Sequence, residues 1–303
     1  MVSGKAAATQ FSGRSSLVNG SWLTGHEFNL GAVPRSFAEI AWPKVSVVIP
    51  TLNEARNLPY VFSKLPPALH EVIIVDGHSV DDTVATARRL RPDVRIVMQS
   101  RSGKGNALAC GFAAATGDII AMVDADGSAD PGEIPAFVEA LMGGADYAKG
   151  SRFATGGGSS DITRLRKAGN LVLSGLVNIL CGTRYSDLCY GYNAFWRRHV
   201  PVFGLDADAL APADGTRLWG DGFEVETLIN IRVAQAGLKV KEVASYEHSR
   251  IHGVSNLNAA SDGWRVLRTI LVERFHYSKK RSEHASADLP DRRPARELVS
   301  RSR

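Results

Sequence analysis

Two aspartates one residue apart, Asp124 and Asp126, close the apolar run Ile119-Ile120-Ala121-Met122-Val123. In an extended chain, positions i and i+2 point to the same side. Two carboxylates that close repel each other unless a positive charge lies between them or one keeps its proton. A hard divalent cation, Mg2+ or Mn2+, resolves the conflict, because it takes carboxylate oxygens and shares itself with the phosphates of a substrate. The plain alternative is a solvated turn: Gly127-Ser128 follows at once, and Asp, Gly and Ser are turn residues.

The elements that would carry these aspartates decide between the two. Val45 to Pro50 is a β-branched run stopped by proline, Glu71 to Val75 a second strand, Arg95 to Met98 a third and 118–123 a fourth. Helical stretches over 53–65, 83–91 and 105–115 separate them, the second capped from Asp81-Asp82-Thr83. This alternation predicts an α/β fold, a mostly parallel, Rossmann-like nucleotide-binding sheet with helices on both faces. In such sheets ligands lie beyond the carboxyl ends of the strands. Pro50, Thr51 and Glu54 stand at the first end, Asp76 at the second, Arg101 and Lys104 at the third, and Asp124 and Asp126 at the fourth. That convergence of acid, acid, base and paired acid on one edge favours the cation over four unrelated turns.

Downstream the spacing predicts a helix over 132–142, a short strand over 146–150, a Gly-rich loop over 154–160 and an amphipathic helix over 163–181. A strand over 192–196, a helix over 221–236 and a strand over 239–247 follow. In 260–275, Trp264, Leu267, Ile270, Leu271 and Phe275 recur at helical spacing, with Arg265, Arg268 and Arg274 off that stripe. Such a stripe packs on its own domain or lies in a membrane interface. The expected organisation is a loosely ordered arm over 1–43, one domain over 44–276 in two halves (44–131 and 132–276) and a disordered basic tail over 277–303.

Bulk properties narrow the partners. The chain has 303 residues and a formal net charge of +5, a mild excess that fits a nucleoside diphosphate, a lipid phosphate or an anionic membrane. Nothing beyond that charge supports nucleic-acid binding. Cys110, Cys181 and Cys189 have no metal-ligand spacing and form no even set, which points to a reducing compartment. The N-terminus has no apolar signal core, and no apolar run approaches the roughly 20 residues of a membrane span. A cytoplasmic protein, peripheral on the inner face of the plasma membrane, is the expectation. A dinucleotide oxidoreductase and a P-loop enzyme are excluded, since neither G-x-G-x-x-G after the first strand nor G-x-x-x-x-G-K-S/T is present.

Seven segments in order, VSVVIPTLNE (45–54), IIVDGHSVDDT (73–83), SGKGNALACGF (102–112), DADGSADP (124–131), KGSRF (149–153), SDLCYGYNAFWRR (186–198) and the block from GDGFEVETL to HGVSN (220–256), resemble family-2 glycosyltransferases of the GT-A fold. Within that family the chain is most similar to the dolichol- and polyprenyl-phosphate sugar transferases. The resemblance implies that Pro50, Thr51 and Glu54 form the loop that holds the nucleotide. It implies that Asp76 lies near the base and that Asp124 and Asp126 hold the metal and donor diphosphate. Lys104, between two glycines, could reach the same phosphates. Arg250 and His252, with His248, match a segment that closes over the donor. Three positions depart from the family pattern: Leu52 stands where many members have Tyr, Asp76-Gly77-His78-Ser79 lacks a second Asp, and Ser128 replaces a larger polar residue.

On the acceptor side, Lys149-Gly150-Ser151-Arg152 and Arg164-Leu165-Arg166-Lys167 bracket the Gly-rich loop. Arginine grips phosphate with two parallel hydrogen bonds, so Arg152, Arg164 and Arg166 are natural ligands for a lipid phosphate. Asp187, Asp221 and Glu224 are the candidate catalytic acids. A hydroxyl acceptor must lose its proton to one of them, whereas a phosphate acceptor is already an anion. Structural roles compete with this reading: Asp221 as a helix cap, Glu224 as the partner of an arginine. The expected activity is metal-dependent, inverting transfer of a hexose from a nucleotide sugar of the GDP-mannose or UDP-glucose class to polyprenyl phosphate. Transfer to a hydroxyl on a glycan or small metabolite, and a non-catalytic nucleotide-sugar-binding module, remain as alternatives.

Overall fold

Strand β1 (Val45–Thr51) is buried along almost its whole length because both of its faces are covered. Val47 and Ile49 point into one core cluster and Val48 into another. The same division runs through β2 (Glu71–Asp76), where Val72 and Ile74 oppose Ile73 and Val75, and through β4 (Ile119–Met122), where Ile119 and Ala121 oppose Ile120 and Met122. A continuous apolar run is what a two-faced strand requires. The computed structural model describes residues 42–214, 216–253 and 262–275. The chain divides after Trp42, and the sheet with its helices belongs to the unit that begins at Pro43.

The seven-stranded sheet has the order β3-β2-β1-β4-β7-β5-β8, with β3 at Arg95–Met98, β5 at Tyr147–Ser151, β7 at Asn193–Trp196 and β8 at Val240–Ala244. Pairs β3–β2, β2–β1, β1–β4 and β5–β8 are parallel. Strand β7 runs antiparallel to both neighbours, β4 and β5. The expected mostly parallel sheet is therefore present, with one reversed strand at the seam between its halves.

One face carries α1 (Leu58–Ser63), α2 (Thr83–Leu90) and α4 (Ile134–Met142), which bring Leu58, Ala87 and Phe137 to the first cluster. The other carries α3 (Lys104–Ala114), the short α6 (Val200–Phe203) and α7 (Val225–Gln235), with Leu108, Phe203 and Ile229 in the second. A third, smaller cluster joins α5 (Arg164–Cys181), α7 and α8 (262–275) through Val177, Ile231 and Ile270.

Several boundaries differ from the sequence expectation for local reasons. The helix expected over 53–65 is confined to Leu58–Ser63, because Asn53 adopts φ 58° and residues 52–57 form a loop. The strand expected over 239–247 splits into β8 and β9 (Tyr246–Glu247), and β9 pairs with β6 (Gly158–Ser159) inside the Gly-rich loop. The helix expected from 221 starts at Val225, since the Glu224 carboxylate accepts hydrogen bonds from the amides of Gly220 and Gly222 at 3.1 and 3.2 Å and holds a turn there. Within the expected cap Asp81-Asp82-Thr83, Asp82 holds the N-cap position and Asp81 supplies the side-chain bond, accepting from the Thr83 amide at 3.0 Å. The arm over 1–41 and the tail over 276–303 lie outside the described residues.

Candidate active site

The carboxyl ends of β1, β2 and β4 open onto a cleft of about 1100 Å³ that continues between α5 and α8. At the end of the cleft nearest β1 and β2, the loops after those strands are knitted together. The Asn53 amide donates to Ser79 Oγ and the Val80 amide to Asn53 Oδ1, both at 2.8 Å. The Glu54 amide donates to Thr83 Oγ1 at 2.8 Å. Asp76 is buried, accepting from the Ser79 amide at 2.8 Å and from Thr51 Oγ1 at 3.4 Å. It stands behind the cleft wall, whereas Pro50, Thr51, Leu52, Glu54 and Gly77 line it.

Lys104 begins α3 and bridges two carboxylates, Asp124 and Glu226, each at 2.6 Å. Burial alone would lower its pKa; the two anions more than offset that and raise it, so the amine is a fixed positive charge. The glycines on either side are a packing requirement. A Cβ at Gly103, where φ is 121°, would meet the Asp221 carbonyl at 2.1 Å, and one at Gly105 would meet the Gly220 carbonyl at 1.7 Å. The backbone of 220–221 thus seats the turn that presents Lys104, and the Gly105 amide donates to the Asp221 carbonyl at 2.8 Å.

Asp124 keeps one carboxylate oxygen on Lys104 and is over a third exposed. Asp126 accepts from Ser128 through both amide and hydroxyl, at 3.0 and 2.7 Å, and faces Arg250 at 3.4 Å. Arg250 also pairs with Glu54 and donates to the His252 carbonyl at 2.8 Å. Burial raises the pKa of Glu54, only partly countered by Asn57 and Arg250. The segment 248–252 grips the aspartate loop through backbone bonds, from the His248 amide to the Ser128 carbonyl at 2.7 Å and from Ile251 to Asp126 at 3.3 Å. His252 itself turns away: its ring lies 5.6 Å from Tyr60 and 3.4 Å from Arg56, outside the cleft lining.

Arg152 also lines the cleft, but its guanidinium is spent. It grips buried Asp187 through two side-chain bonds at 2.7 and 2.9 Å, holds Glu247 at 3.0 Å and stacks 4.9 Å from the Tyr190 ring. Arg166 lines the cleft and pairs with Asp161 at 3.0 Å; Arg164 is exposed outside it. Lys149 is turned into the core, donating to the Tyr190 carbonyl at 3.0 Å, so it is no phosphate ligand here.

The three expected catalytic acids are not free. Asp187 is fully buried on Arg152. Asp221 is buried in a two-pronged pair with Arg101, at 2.8 and 2.9 Å, and does not line the cleft. Glu224 holds its own turn and is likewise outside the lining. Sequence reasoning missed Glu226 and Glu247 as partners of the cleft cations; Glu226 stands two residues after Glu224 in the most specific segment, which was the available signal. Every carboxylate lining the cleft among the described residues has a Lys or Arg partner: Glu54, Asp124, Asp126, Asp161, Glu226, Glu247 and Asp262.

The sheet brings Pro50, Thr51, Glu54, Lys104 and the paired aspartates to the cleft at its carboxyl edge, and its architecture is that of the GT-A glycosyltransferases. The model of glycosyl transferase family 2 matches residues 46–201, and the chain belongs to that family. It is similar to an uncharacterized glycosyltransferase of Mycobacterium tuberculosis, 41% identical over 75% of this chain and 100% of the relative. A polyprenol monophosphomannose synthase of Mycolicibacterium smegmatis is 33% identical over 71% of this chain and 81% of its own. Among solved structures, glucosyl-3-phosphoglycerate synthase of Mycobacterium tuberculosis, in complex with Mn2+, uridine diphosphate and phosphoglyceric acid, has a TM-score of 0.56 and 25% identity, covering 77% of this chain and 78% of that one. The chain is accordingly an enzyme, a glycosyltransferase, and the reading as a non-catalytic module falls.

Proposed function

We propose that this enzyme moves a hexose from a nucleoside diphosphate sugar to a polyprenyl phosphate, by one inverting displacement. The observation that carries the choice of acceptor is the pairing of every described cleft carboxylate. A hydroxyl acceptor needs a carboxylate free to take its proton; a phosphate acceptor brings its own negative oxygen. The apolar stretch of the cleft, with Ile162, Leu165, Leu173, Phe223 and Val266, suits a prenyl chain, and Arg217 in the same stretch, with Arg166 and Arg265 on partly exposed pairs with Asp161 and Asp262 that a phosphate can replace, suits its phosphate. Similarity to a polyprenol monophosphomannose synthase supports the same reading.

Asp124 and Asp126 fit a divalent cation as a partial ligand set. Among the described residues no cluster of three His, Cys, Asp or Glu could hold a metal alone. Mg2+ is commonly held by one or two carboxylates, with substrate phosphates and water completing its shell, and the relative solved with Mn2+ and UDP supports this. Bound there, the cation would offset charge on the departing diphosphate. Lys104 adds a fixed positive charge beside Asp124, Thr51 and Pro50 border the nucleotide, and Glu54 orients Arg250 toward the aspartates.

The test is a panel of UDP- and GDP-hexoses offered with polyprenyl phosphate, or with phosphoglycerate, in Mg2+ or Mn2+, read by mass spectrometry. A metal-dependent lipid-linked hexose is expected and names the sugar. A glycosylated phosphoglycerate with no lipid product would overturn the acceptor assignment and keep the donor site.

A further inference from the structure

The surroundings of Glu226 satisfy only half of its carboxylate. The residue stands in the first turn of α7 and is 8% exposed, yet it lines the cleft. One oxygen, Oε1, takes the Lys104 ammonium at 2.6 Å. The other, Oε2, has no hydrogen-bond or ionic partner among the described residues. The enclosed side-chain atoms without a partner, again among the described residues, are Tyr147 Oη, Asn193 Oδ1 and Asn230 Oδ1, so Oε2 keeps an opening on the cleft. An ionised carboxylate offers about four acceptor sites, and one that is nearly buried is costly to leave without donors. The neighbouring wall is kept bare. Gly191 lies between Tyr190 and Tyr192, all three on the cleft. A Cβ at Gly191 would stand 3.1 Å from Glu226 Oε1 and 3.5 Å from Lys104 Nζ, so the glycine leaves that pair uncovered.

We propose that Glu226 reads the hexose of the donor: Oε2 accepts a hydrogen bond from one sugar hydroxyl while Oε1 stays on Lys104. The inference rests on the donor reading above and deepens it. The chemistry of the two substrates leaves one group that fits. A diphosphate is repelled by a carboxylate and belongs with Asp124, Asp126 and their cation, across Lys104 from Glu226. An acceptor phosphate is again an anion, and a prenyl chain has no donor. The base belongs with the loops after β1 and β2, where Pro50, Thr51, Leu52 and Gly77 line the cleft. The hexose brings neutral O–H donors, and it is bonded directly to the phosphate that Asp124 and Lys104 would face. Glu226 therefore stands one ionic contact beyond the diphosphate, where the sugar begins. A charge-assisted O–H···O bond in a site nearly closed to water discriminates strongly, because a donor lacking that hydroxyl leaves the carboxylate oxygen without a partner. One hydroxyl position, and its axial or equatorial setting, then decides which hexose is accepted.

The experiment uses the full chain with Mg2+. Calorimetry measures the binding of UDP and GDP, and kcat/KM is measured for UDP-glucose, GDP-mannose and their monodeoxy forms at C2, C3, C4 and C6. For the wild type, kcat/KM should fall about 10²-fold at one deoxy position and far less at the others. In Glu226→Ala that penalty should shrink to about threefold or less, because intact and deoxy donors then both lack the acceptor, while the diphosphate alone keeps its affinity. Gly191→Ala narrows the same spot without touching a charge; it should weaken the intact donor about tenfold relative to the diphosphate. No position-specific penalty in the wild type, or the same penalty in Glu226→Ala, would overturn the proposal. So would an equal loss for every donor together with loss of diphosphate binding, because Glu226 would then only hold Lys104 in place. If the wild type bound neither UDP nor GDP, the donor reading itself would fall, and this inference with it.

Discussion

Lys104 and Arg152 solve the same electrostatic problem in opposite ways. Each is one cation placed between two carboxylates from distant parts of the chain, Lys104 between Asp124 and Glu226, Arg152 between Asp187 and Glu247. Lysine is a compact point charge, and one of its partners, Asp124, is 37% exposed at the cleft. Substrate or cation can therefore re-partition those charges. Arginine fixes both partners with a rigid planar fork, and Asp187 has no exposed surface. Nothing entering from the cleft can replace that contact. Composition alone would rank the two centres alike; exposure and fork geometry leave one open to the cleft and make the other a buried clamp.

Replacing one member of each centre should separate them. Arg152→Met leaves buried Asp187 without its cation, which costs about 3–5 kcal/mol of stability, read as a large drop in urea midpoint. Asp126→Ala should lower stability by only about 1 kcal/mol, through loss of its bonds from Ser128, while cutting turnover about 10²–10³-fold, the scale of losing one contact to developing charge. If Asp126→Ala unfolded the protein and Arg152→Met only slowed it, the assignment of roles would be reversed.

A third pair, Arg101–Asp221, sharpens the contrast because it was expected on the chemical side. Asp221→Asn should cost about 3 kcal/mol through the loss of a buried ionic partner, with Arg101 retaining the carbonyls of Asp206 and Ala209 at 2.7 and 2.6 Å. Turnover at saturating substrate should fall less than tenfold, and its pH profile should keep its shape. A 10²–10⁴-fold loss with unchanged stability would restore Asp221 as a general base.

What the sequence discloses about these centres depends on the range of the interactions. Strands β1, β2 and β4 are legible because both faces are buried and their apolar runs end abruptly in Thr51, Asp76 and Asp124. Asp124, Asp126 and Lys104 are legible because each stands directly beside such an element. The partners are not. Arg101 meets Asp221 across 120 residues and Arg250 meets Glu54 across 196, and no local pattern encodes such distances. The direction of β7 is equally silent, since a four-residue strand, Asn193-Ala194-Phe195-Trp196, reads the same parallel or antiparallel. For α5 and α8 the period of 3.6 residues was visible, but a period does not say which face turns toward the protein.

The smallest effect lies at the far end of the sheet, away from both centres. Glu71, at the start of β2, would have its pKa raised by burial; bonds from Ser46 Oγ, the Thr116 amide and the Thr116 hydroxyl, with Arg95 nearby, more than offset this and hold it at about 2 instead of the ordinary 4.5. A carboxyl depressed in the folded state stabilises the protein above its unfolded pKa and loses that contribution as pH falls toward the folded one. Glu71 should therefore contribute fully at pH 7 and lose about 2 kcal/mol by about pH 3. In Glu71→Gln that part of the acid slope should vanish, so the variant and wild type converge as pH drops, measured by urea unfolding at pH 7, 5 and 3. Lys104 offers no such slope: its raised pKa keeps it charged throughout the range. An acid slope unchanged in Glu71→Gln would move the acid sensitivity to the cleft carboxylates and erase the distinction between a structural sheet end and a working one.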